Sequence, residues 1–193
     1  WDRIGSVGKP QLLVSVRLVG EDGRDVADGE VGDLLFAGPG VTPGYWNDPE
    51  ESRAAFTADG WLKSGDLARR DADGFYWVAG RRKEMFISGG ENVYPAEVEN
   101  VLAGHPSVAE AAVVATPHPR WGEVGCAFLR LSNGGPHPGA AELDAFCRAR
   151  LAAYKVPTAF QFVEDFPRTA AGKVQKHLLV CPEPQPSWET VVA

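Results

Sequence analysis

The chain has 193 residues, of which 44% are hydrophobic, so it is long enough to bury a core as one domain or as a partial domain joined to a second. Its 19 Lys and Arg residues against 26 Asp and Glu give a formal net charge of −7, which argues against a general nucleic-acid binder because phosphate neutralisation needs a basic face. No apolar run reaches the roughly 20 residues that cross a bilayer, and the first residues lack a secretion signal, so we expect no transmembrane segment and a cytoplasmic location.

The first eighty residues are predicted to be largely β-structure, because branched apolar runs alternate with Gly- and Asp-rich turn residues. Four strands are predicted, at residues 12–19, 31–37, 60–68 and 71–80. Between the second and third, residues 38–44 are rich in Gly and Pro and predict a shaped loop. Pro49 after Asp48 predicts a short helix to Phe56, since Asp caps helices and Pro suits a first helical position.

Near residue 82 the pattern changes to alternating strands and helices. A helix is predicted to begin at Pro95 and to end before Gly104. A second helix is predicted at 140–153, because its apolar residues recur at helical spacing. Core strands are predicted at 108–116, 123–132 and 159–164. The proline-rich tail after Val180 is predicted to be poorly ordered.

The three cysteines, Cys126, Cys147 and Cys181, are odd in number and widely spaced. They form neither a paired disulfide framework nor a metal-ligand cluster, so we expect reduced packing residues. The histidines also lack metal-ligand spacing. The sequence therefore predicts no metal site in this chain.

Four stretches form a joint pattern in their order and spacing, at residues 38–46, 60–66, 80–95 and 167–173. Their sequences are GPGVTPGYW, GWLKSGD, GRRKEMFISGGENVYP and PRTAAGK. Together they resemble the adenylate-forming superfamily of acyl-CoA synthetases, aryl-CoA ligases, luciferases and peptide-synthetase adenylation domains. The resemblance covers roughly residues 4 to 180. It implies the C-terminal part of an AMP-forming acyl-CoA synthetase.

The resemblance also implies an α+β fold in two parts. Residues 1–82 would be the end of the large N-terminal domain, a β-rich, distorted barrel-like subdomain. Residues 83–180 would form a small, mobile, mixed α/β domain whose central sheet is flanked by helices, and residues 181–193 a tail.

Asp66 and Arg81 are implied to bind the ribose of ATP, since a carboxylate can accept two strong hydrogen bonds from neighbouring hydroxyls. On the residues alone, Asp66 could merely cap a tight Ser-Gly turn and Arg81 could form a surface ion pair. Lys83 occupies the implied hinge between the two parts, where a few residues absorb a large backbone change. Otherwise its charged run is a solvated linker.

The loop with two consecutive glycines is implied to line the tunnel for the pantetheine arm of CoA, because glycine lets a ligand approach the backbone. The residues assigned to CoA are Ser88, Gly89, Gly90, Glu91 and Trp121. Further candidates for the CoA nucleotide are Arg120, Tyr154 and Lys155. The alternative for the glycine pair is a turn that needs positive φ.

Lys173 is implied to be the catalytic lysine of adenylation, delivered on the flexible stretch 169–172. An ammonium there can stabilise charge shared between the attacking carboxylate and the α-phosphate. On residue type alone, an exposed loop lysine is more often a solvated surface charge. Lys176 and His177 are assigned to that solvated class.

The implied activity is ATP-dependent ligation of a fatty or related carboxylic acid to CoA through acyl-AMP, with Mg²⁺ bound outside this chain. The phosphate-gripping loop and the acyl-pocket segment of the family are not in this sequence. The chain alone is therefore expected to be inactive and to need the remainder of the N-terminal domain. An aryl-CoA ligase, a carrier-protein-loading adenylation domain, and a non-catalytic nucleotide- or partner-binding domain stay open, as does a homodimer.

Overall fold

Two sheets organise the chain in the computed structural model, which describes residues 3–132 and 137–182. The chain divides into two compact units, Trp1–Lys83 and Glu84–Ala193, and one sheet belongs to each. Helices are few and short in the described residues, and antiparallel pairing dominates both sheets. The mixed α and β architecture expected from the sequence is confirmed at that level.

The first unit is a four-stranded antiparallel meander in the order β1-β2-β3-β4. Its elements are β1 Ser15–Val19, β2 Val31–Ala37, α1 Pro49–Ala54, β3 Leu62–Arg70 and β4 Tyr76–Arg81. The prediction of four strands is confirmed, but the first begins at Ser15 instead of residue 12. The cause lies in the preceding turn, where Leu13 has a φ of 68° and the amide of Val14 donates to the carbonyl of Gln11.

Helix α1 begins as the sequence predicts, with the Asp48 carboxylate accepting a hydrogen bond from the Glu51 amide at 2.9 Å. The small core under the meander is formed by Leu18, Leu34, Ala68 and Tyr76. These side chains come from all four strands, so their packing helps to keep β3 and β4 side by side.

The second unit contains a five-stranded sheet in which β8 is central and pairs with β5, β7 and β9. Its strands are β5 Phe86–Ser88, β6 Glu91–Val93, β7 Val108–His118, β8 Gly122–Leu131 and β9 Ala159–Phe162. Its helices are α2 Pro95–Ala103 and α3 Ala140–Arg148. Three 3₁₀ turns lie at Arg82–Glu84, Ala153–Lys155 and Lys176–Leu178. The predicted core strands and α2 are confirmed.

Both α-helices pack on the same face of this sheet. Alternation along β8 turns Ala127 and Leu129 toward the helices, where Leu102 of α2 and Leu143 of α3 are fully buried. The opposite face, with Phe128, is covered by the segment that follows β9. The expected flanking by helices therefore holds on one face of the sheet.

Helix α3 ends at Arg148, so the prediction that it extends to residue 153 is wrong. The Arg150 guanidinium donates to the Phe146 carbonyl, and Ala152 takes an extended conformation. Leu151 packs against the helix-side core from this turn. The alanine-rich sequence contains no stop signal at this point, so tertiary packing sets the end of this helix.

The structure joins Cys126 to Cys181 in a disulfide with a Cα–Cα distance of 6.2 Å, so the expectation of three reduced cysteines is wrong for these two. Cys126 points from β8 toward the face without helices, and the returning chain carries Cys181 along that face. Cys147 is free and buried, as expected. Residues 183–193 of the predicted tail lie outside the described residues.

Candidate functional site

Asp66 and Arg81 are direct cross-strand neighbours on β3 and β4. The Arg81 Nε lies 2.9 Å from the Asp66 Oδ1, and the Asp66 side chain is 27% exposed. Gly65, with a φ of +76°, bends the strand just before Asp66. The Ser64 hydroxyl accepts a hydrogen bond from the Asp66 amide at 3.0 Å. The expected tight turn is thus an irregularity within a strand. It leaves a fixed carboxylate beside a guanidinium, accessible to a hydroxyl-bearing ligand.

Lys83 lies in the 3₁₀ turn Arg82–Glu84, where the first unit ends. Arg82 is fastened to the first unit, with its guanidinium 3.3 Å from Glu21 and 3.7 Å from Asp33. Glu84 pairs with a lysine of the second unit at 2.6 Å. Lys83 is exposed, and among residues 3–132 and 137–182 it has no ion-pair partner. The charged run is therefore anchored on both sides of Lys83 but not at Lys83 itself.

The glycine pair forms the two-residue turn of the β5–β6 hairpin, with φ values of +62° at Gly89 and +91° at Gly90. Both positions need glycine for the turn alone. The Gly89 amide donates to the Trp121 carbonyl at 2.9 Å. A Cβ at Gly89 would lie 3.0 Å from the Trp121 ring, whereas a Cβ at Gly90 would meet nothing within 4 Å. Gly89 thus also permits a close approach of the indole.

A cleft of about 920 Å³ opens beside this hairpin in the second unit. Its walls include Ser88, Gly89, Glu91, Trp121, Asp144, Arg148, Tyr154 and Phe160. Four of the five residues assigned to CoA therefore line one cavity, and Gly90 is absent from its lining. The Trp121 ring is 43% exposed, and the Arg120 guanidinium lies 4.5 Å from its centroid. A flat aromatic face beside a cation suits a planar base carrying phosphates.

Lys155, a candidate contact for the CoA nucleotide, forms an ion pair with α2. Its ammonium donates to both carboxylate oxygens of Glu97 at 2.8 Å and is only 18% exposed. Tyr154, its neighbour, does line the cleft. The structure therefore assigns Lys155 to fastening its turn to α2.

Lys173 ends a hydrogen-bonded turn. The Thr169 amide donates to the Lys173 carbonyl and the Gly172 amide donates to the Thr169 carbonyl, both at 2.8 Å. The Arg168 guanidinium donates to the Gly172 carbonyl at 3.1 Å and pairs with Glu110 at 2.5 Å. The Lys173 side chain is exposed, without an ion-pair partner in the described part of the chain. The turn thus presents an exposed ammonium that has no ion-pair partner among the described residues.

Comparison with known proteins assigns both units to one family. Residues 1–46 match the AMP-binding enzyme family, and residues 97–173 match the AMP-binding enzyme C-terminal domain. A feruloyl-CoA synthase of Amycolatopsis sp is 48% identical over 175 residues, which cover 91% of this chain. The chain belongs to the AMP-binding enzyme family.

The chain resembles other members of the family to a similar extent. A medium/long-chain-fatty-acid–CoA ligase of Mycobacterium tuberculosis is 42% identical over 180 residues, which cover 90% of this chain. The o-succinylbenzoate CoA synthetase of Bacillus subtilis, solved with an acyl-adenylate intermediate, matches with a TM-score of 0.85 and 40% identity, covering 92% of this chain and 36% of that chain. The chain spans about a third of the curated relatives it matches, 35% of the feruloyl-CoA synthase and 31% of the fatty-acid–CoA ligase.

One charged group has surroundings that differ from those predicted from the sequence. Lys176, assigned to the solvated surface, is only 21% exposed and contacts the carboxylates of Glu84 and Glu99 at 2.6 and 2.7 Å. The two acids are far from it in sequence, so no local pattern indicates the cluster. His177 is exposed, as expected.

Two further findings concern metal ions and membranes. Within residues 3–132 and 137–182, no group of three or more His, Cys, Asp and Glu side chains is arranged to hold a metal ion. Among the same residues, no helix combines the length and apolar character needed to cross a membrane.

Proposed function

We propose that this chain is the C-terminal part of an AMP-forming carboxylate–CoA ligase. In the first half-reaction a carboxylate oxygen attacks the α-phosphorus of ATP, and the bond to pyrophosphate breaks to leave acyl-AMP. In the second, the CoA sulfur attacks the acyl carbon, the bond to AMP breaks, and the thiol proton is released. The observation that carries the proposal is that the exposed Lys173 and the cleft beside Gly89 belong to one small unit, which begins directly after Lys83.

The second unit presents the cleft and Lys173 on different sides of its sheet. The wall of the cleft includes α3, which covers one face of the sheet. Val174, the neighbour of Lys173, packs on the opposite face. A unit built this way can offer the lysine in one orientation and the cleft in another, which supports domain alternation about Lys83. In this proposal residues 83–180 are the mobile domain, and residues 1–82 belong to the barrel-like end of the large domain.

Lys173 is the catalytic group of adenylation in this scheme. Its ammonium stabilises the negative charge that builds between the attacking carboxylate and the α-phosphate as pyrophosphate leaves. Asp66 accepts hydrogen bonds from the ribose hydroxyls, with Arg81 holding the carboxylate in place from 2.9 Å. The cleft lined by Gly89 and Trp121 receives the pantetheine arm and part of the CoA nucleotide.

The chain alone is proposed to be inactive, because it spans only 35% of the feruloyl-CoA synthase it matches. The rest of a large N-terminal domain would supply the acyl pocket and the groups that bind the ATP phosphates and magnesium. We place the complete ligase in the cytoplasm. Robust pyrophosphate release by this chain alone, with ATP, Mg²⁺ and a panel of carboxylic acids, would refute this part of the proposal.

Two classes of carboxylic acid are candidate substrates of the complete ligase. A fatty or related acid is one substrate class and an aromatic acid is the other, which the resemblance to a feruloyl-CoA synthase favours. The acyl pocket lies outside this chain in the proposed scheme. A complete ligase assayed with aliphatic and hydroxycinnamic acids decides between the two classes. If neither class supports acyl-AMP formation, the proposed ligase activity fails.

The role of Lys173 is tested by separating the half-reactions. Lys173→Ala in the complete ligase is expected to slow acyl-AMP formation by on the order of 10²- to 10³-fold, the usual loss for one electrostatic group at a transition state. Thioester formation from supplied acyl-AMP should change much less. His177→Ala, an exposed change four residues away, is the matched control. Equal losses in both half-reactions of Lys173→Ala would contradict the assignment.

A further inference from the structure

Lys176 is the centre of a half-buried ion cluster within the second unit. Its Nζ lies 2.6 Å from the Glu84 Oε2 and 2.7 Å from the Glu99 Oε1. Glu99 also accepts the Val113 amide at 2.7 Å, which ties the cluster to β7. The Lys176 and Glu99 side chains are 21% and 18% exposed, so the contacts are partly shielded from water. Charge-assisted contacts of this length are among the stronger hydrogen bonds in proteins.

The two carboxylates of this cluster favour the protonated form of Lys176. Burial lowers the pKa of the Lys176 ammonium most, but the negative charge of Glu99 and the hydrogen bonds with Glu84 and Glu99 outweigh burial and leave the pKa raised. Lys176 is therefore a permanent cation at neutral pH. Removing it would leave two carboxylates facing each other without compensation.

The cluster links two positions that matter to the proposed function. Lys176 follows Lys173 by three residues, and the Gln175 amide between them donates to the Pro167 carbonyl at 2.8 Å, closing the turn that carries Lys173. Glu84 directly follows Lys83. A single ammonium thus fastens the end of the lysine turn to the first residue after the hinge.

We propose that Lys176 is a positioning residue that sets the Lys173 turn and the backbone after Lys83 in one arrangement. The inference rests on the proposed function of Lys173 and Lys83. Arg168 holds the start of the same turn through its contacts with Glu110 and the Gly172 carbonyl. Lys176 supplies the second anchor, and it is the one that reaches the junction. The backbone after Lys83 and the Lys173 turn are then held in one register through one pair of contacts.

The first test needs no enzymatic activity and uses this chain. Hydrogen exchange is compared among wild type, Lys176→Met, Lys176→Arg and Glu84→Gln. Loss of charge-assisted hydrogen bonds should speed exchange by about tenfold or more in Lys176→Met, both at 168–175 and at 84–86. Central amides of β8 should keep their protection. Unchanged exchange at either segment, or an equal increase in β8, would overturn the proposal.

Glu84→Gln isolates the contact with the junction, because the contact between Lys176 and Glu99 remains. In the complete ligase this variant and Lys176→Met should lower kcat for acyl-AMP formation by on the order of 10- to 100-fold, as expected for a slightly misplaced catalytic group. The KM for ATP should stay within about twofold, since uniform binding is untouched. Lys176→Arg should restore most of the rate, and His177→Ala should match wild type.

The two proposals fail in different ways. A wild-type complete ligase that forms no acyl-AMP from any acid removes the proposed function, whatever the exchange data show. An active wild type whose Glu84→Gln and Lys176→Met variants adenylate at the wild-type rate removes the positioning role and leaves the function standing. Equal losses in adenylation and in thioester formation from supplied acyl-AMP would also overturn the positioning role.

Discussion

The glycine pair offers a matched perturbation, because its two members share a backbone conformation but not their surroundings. Gly89 and Gly90 have φ values of +62° and +91°, in the region that side chains rarely occupy. An added Cβ would lie 3.0 Å from the Trp121 Cε3 at Gly89 and in open space at Gly90. Gly89→Ala and Gly90→Ala therefore carry the same kind of backbone strain, and only the first presses on the indole.

The expected magnitudes separate the two effects. Placing alanine at positive φ costs about 1–2 kcal/mol, so both variants should lower the free energy of unfolding by a similar amount. Carbon atoms prefer separations of about 3.5–4.0 Å, so the Trp121 ring must retreat by roughly 0.5 Å in Gly89→Ala. Because that ring is 43% exposed, it can tilt without opening the core. The wall of the cleft moves while the fold is retained.

The assay is the second half-reaction of the complete ligase, started from supplied acyl-AMP with varied CoA. Gly89→Ala should raise the KM for CoA by about tenfold, the low end for a misfit of methyl-group size in a pocket. Gly90→Ala should leave that KM near wild type, and neither variant should alter acyl-AMP formation. The same rise in both variants, or none in Gly89→Ala, would refute the assignment of the cleft to CoA.

Three further predictions concern the second unit. Unfolding without reductant should expose one reactive thiol, because Cys126 and Cys181 are joined in a disulfide. That thiol is Cys147, which is buried in the folded chain and whose pKa burial raises to about 11. Three reactive thiols would contradict the disulfide. Glu110→Gln should lower the free energy of unfolding by about 1 kcal/mol at pH 7. The hydrogen bond from Arg168 lowers the pKa of the Glu110 carboxyl from its ordinary value of 4.5. The stability that the ion pair contributes is therefore present above pH 4.5 and disappears as the pH falls through the folded pKa. If wild type and Glu110→Gln still differ in free energy of unfolding at about pH 2, the ion pair is not the cause. Leu143→Ala should cost about 3 kcal/mol in urea unfolding because the side chain is fully buried, and a loss under 1 kcal/mol would contradict its core position.

Local signals in the sequence predicted much of this fold. The apolar runs at 31–37 and 108–116 fix strands because they alternate or remain apolar over strand length, and tertiary contacts only adjust their ends. Asp48 before Pro49 predicts the start of α1 because the capping contact forms within four residues. Such features depend on neighbours in sequence, so they are visible without a structure.

Features that depend on distant residues could not be predicted in this way. The Cys126–Cys181 pair requires knowing that the chain after β9 returns along the face of the sheet without helices. The burial of Lys176 requires Glu84, 92 residues earlier in the chain. The hairpin at Gly89 is the intermediate case, because a Gly-Gly pair is a local hairpin signal, whereas the sequence predicted either a CoA-binding loop or a turn at this pair and no hairpin.

In the proposed scheme the hinge is confined to Lys83, because the residues on its two sides are anchored separately. Arg82 is held by acids of the first unit, and Glu84 is held by Lys176 of the second, so rotation about bonds on either side of Lys83 breaks neither set of contacts. Lys83 itself is exposed and lies in a short 3₁₀ turn, so a change of its own backbone angles would cost few contacts of this residue. In the proposed scheme the ion pairs of Arg82 within the first unit and of Glu84 within the second would survive such a change, which keeps the Lys173 turn in register.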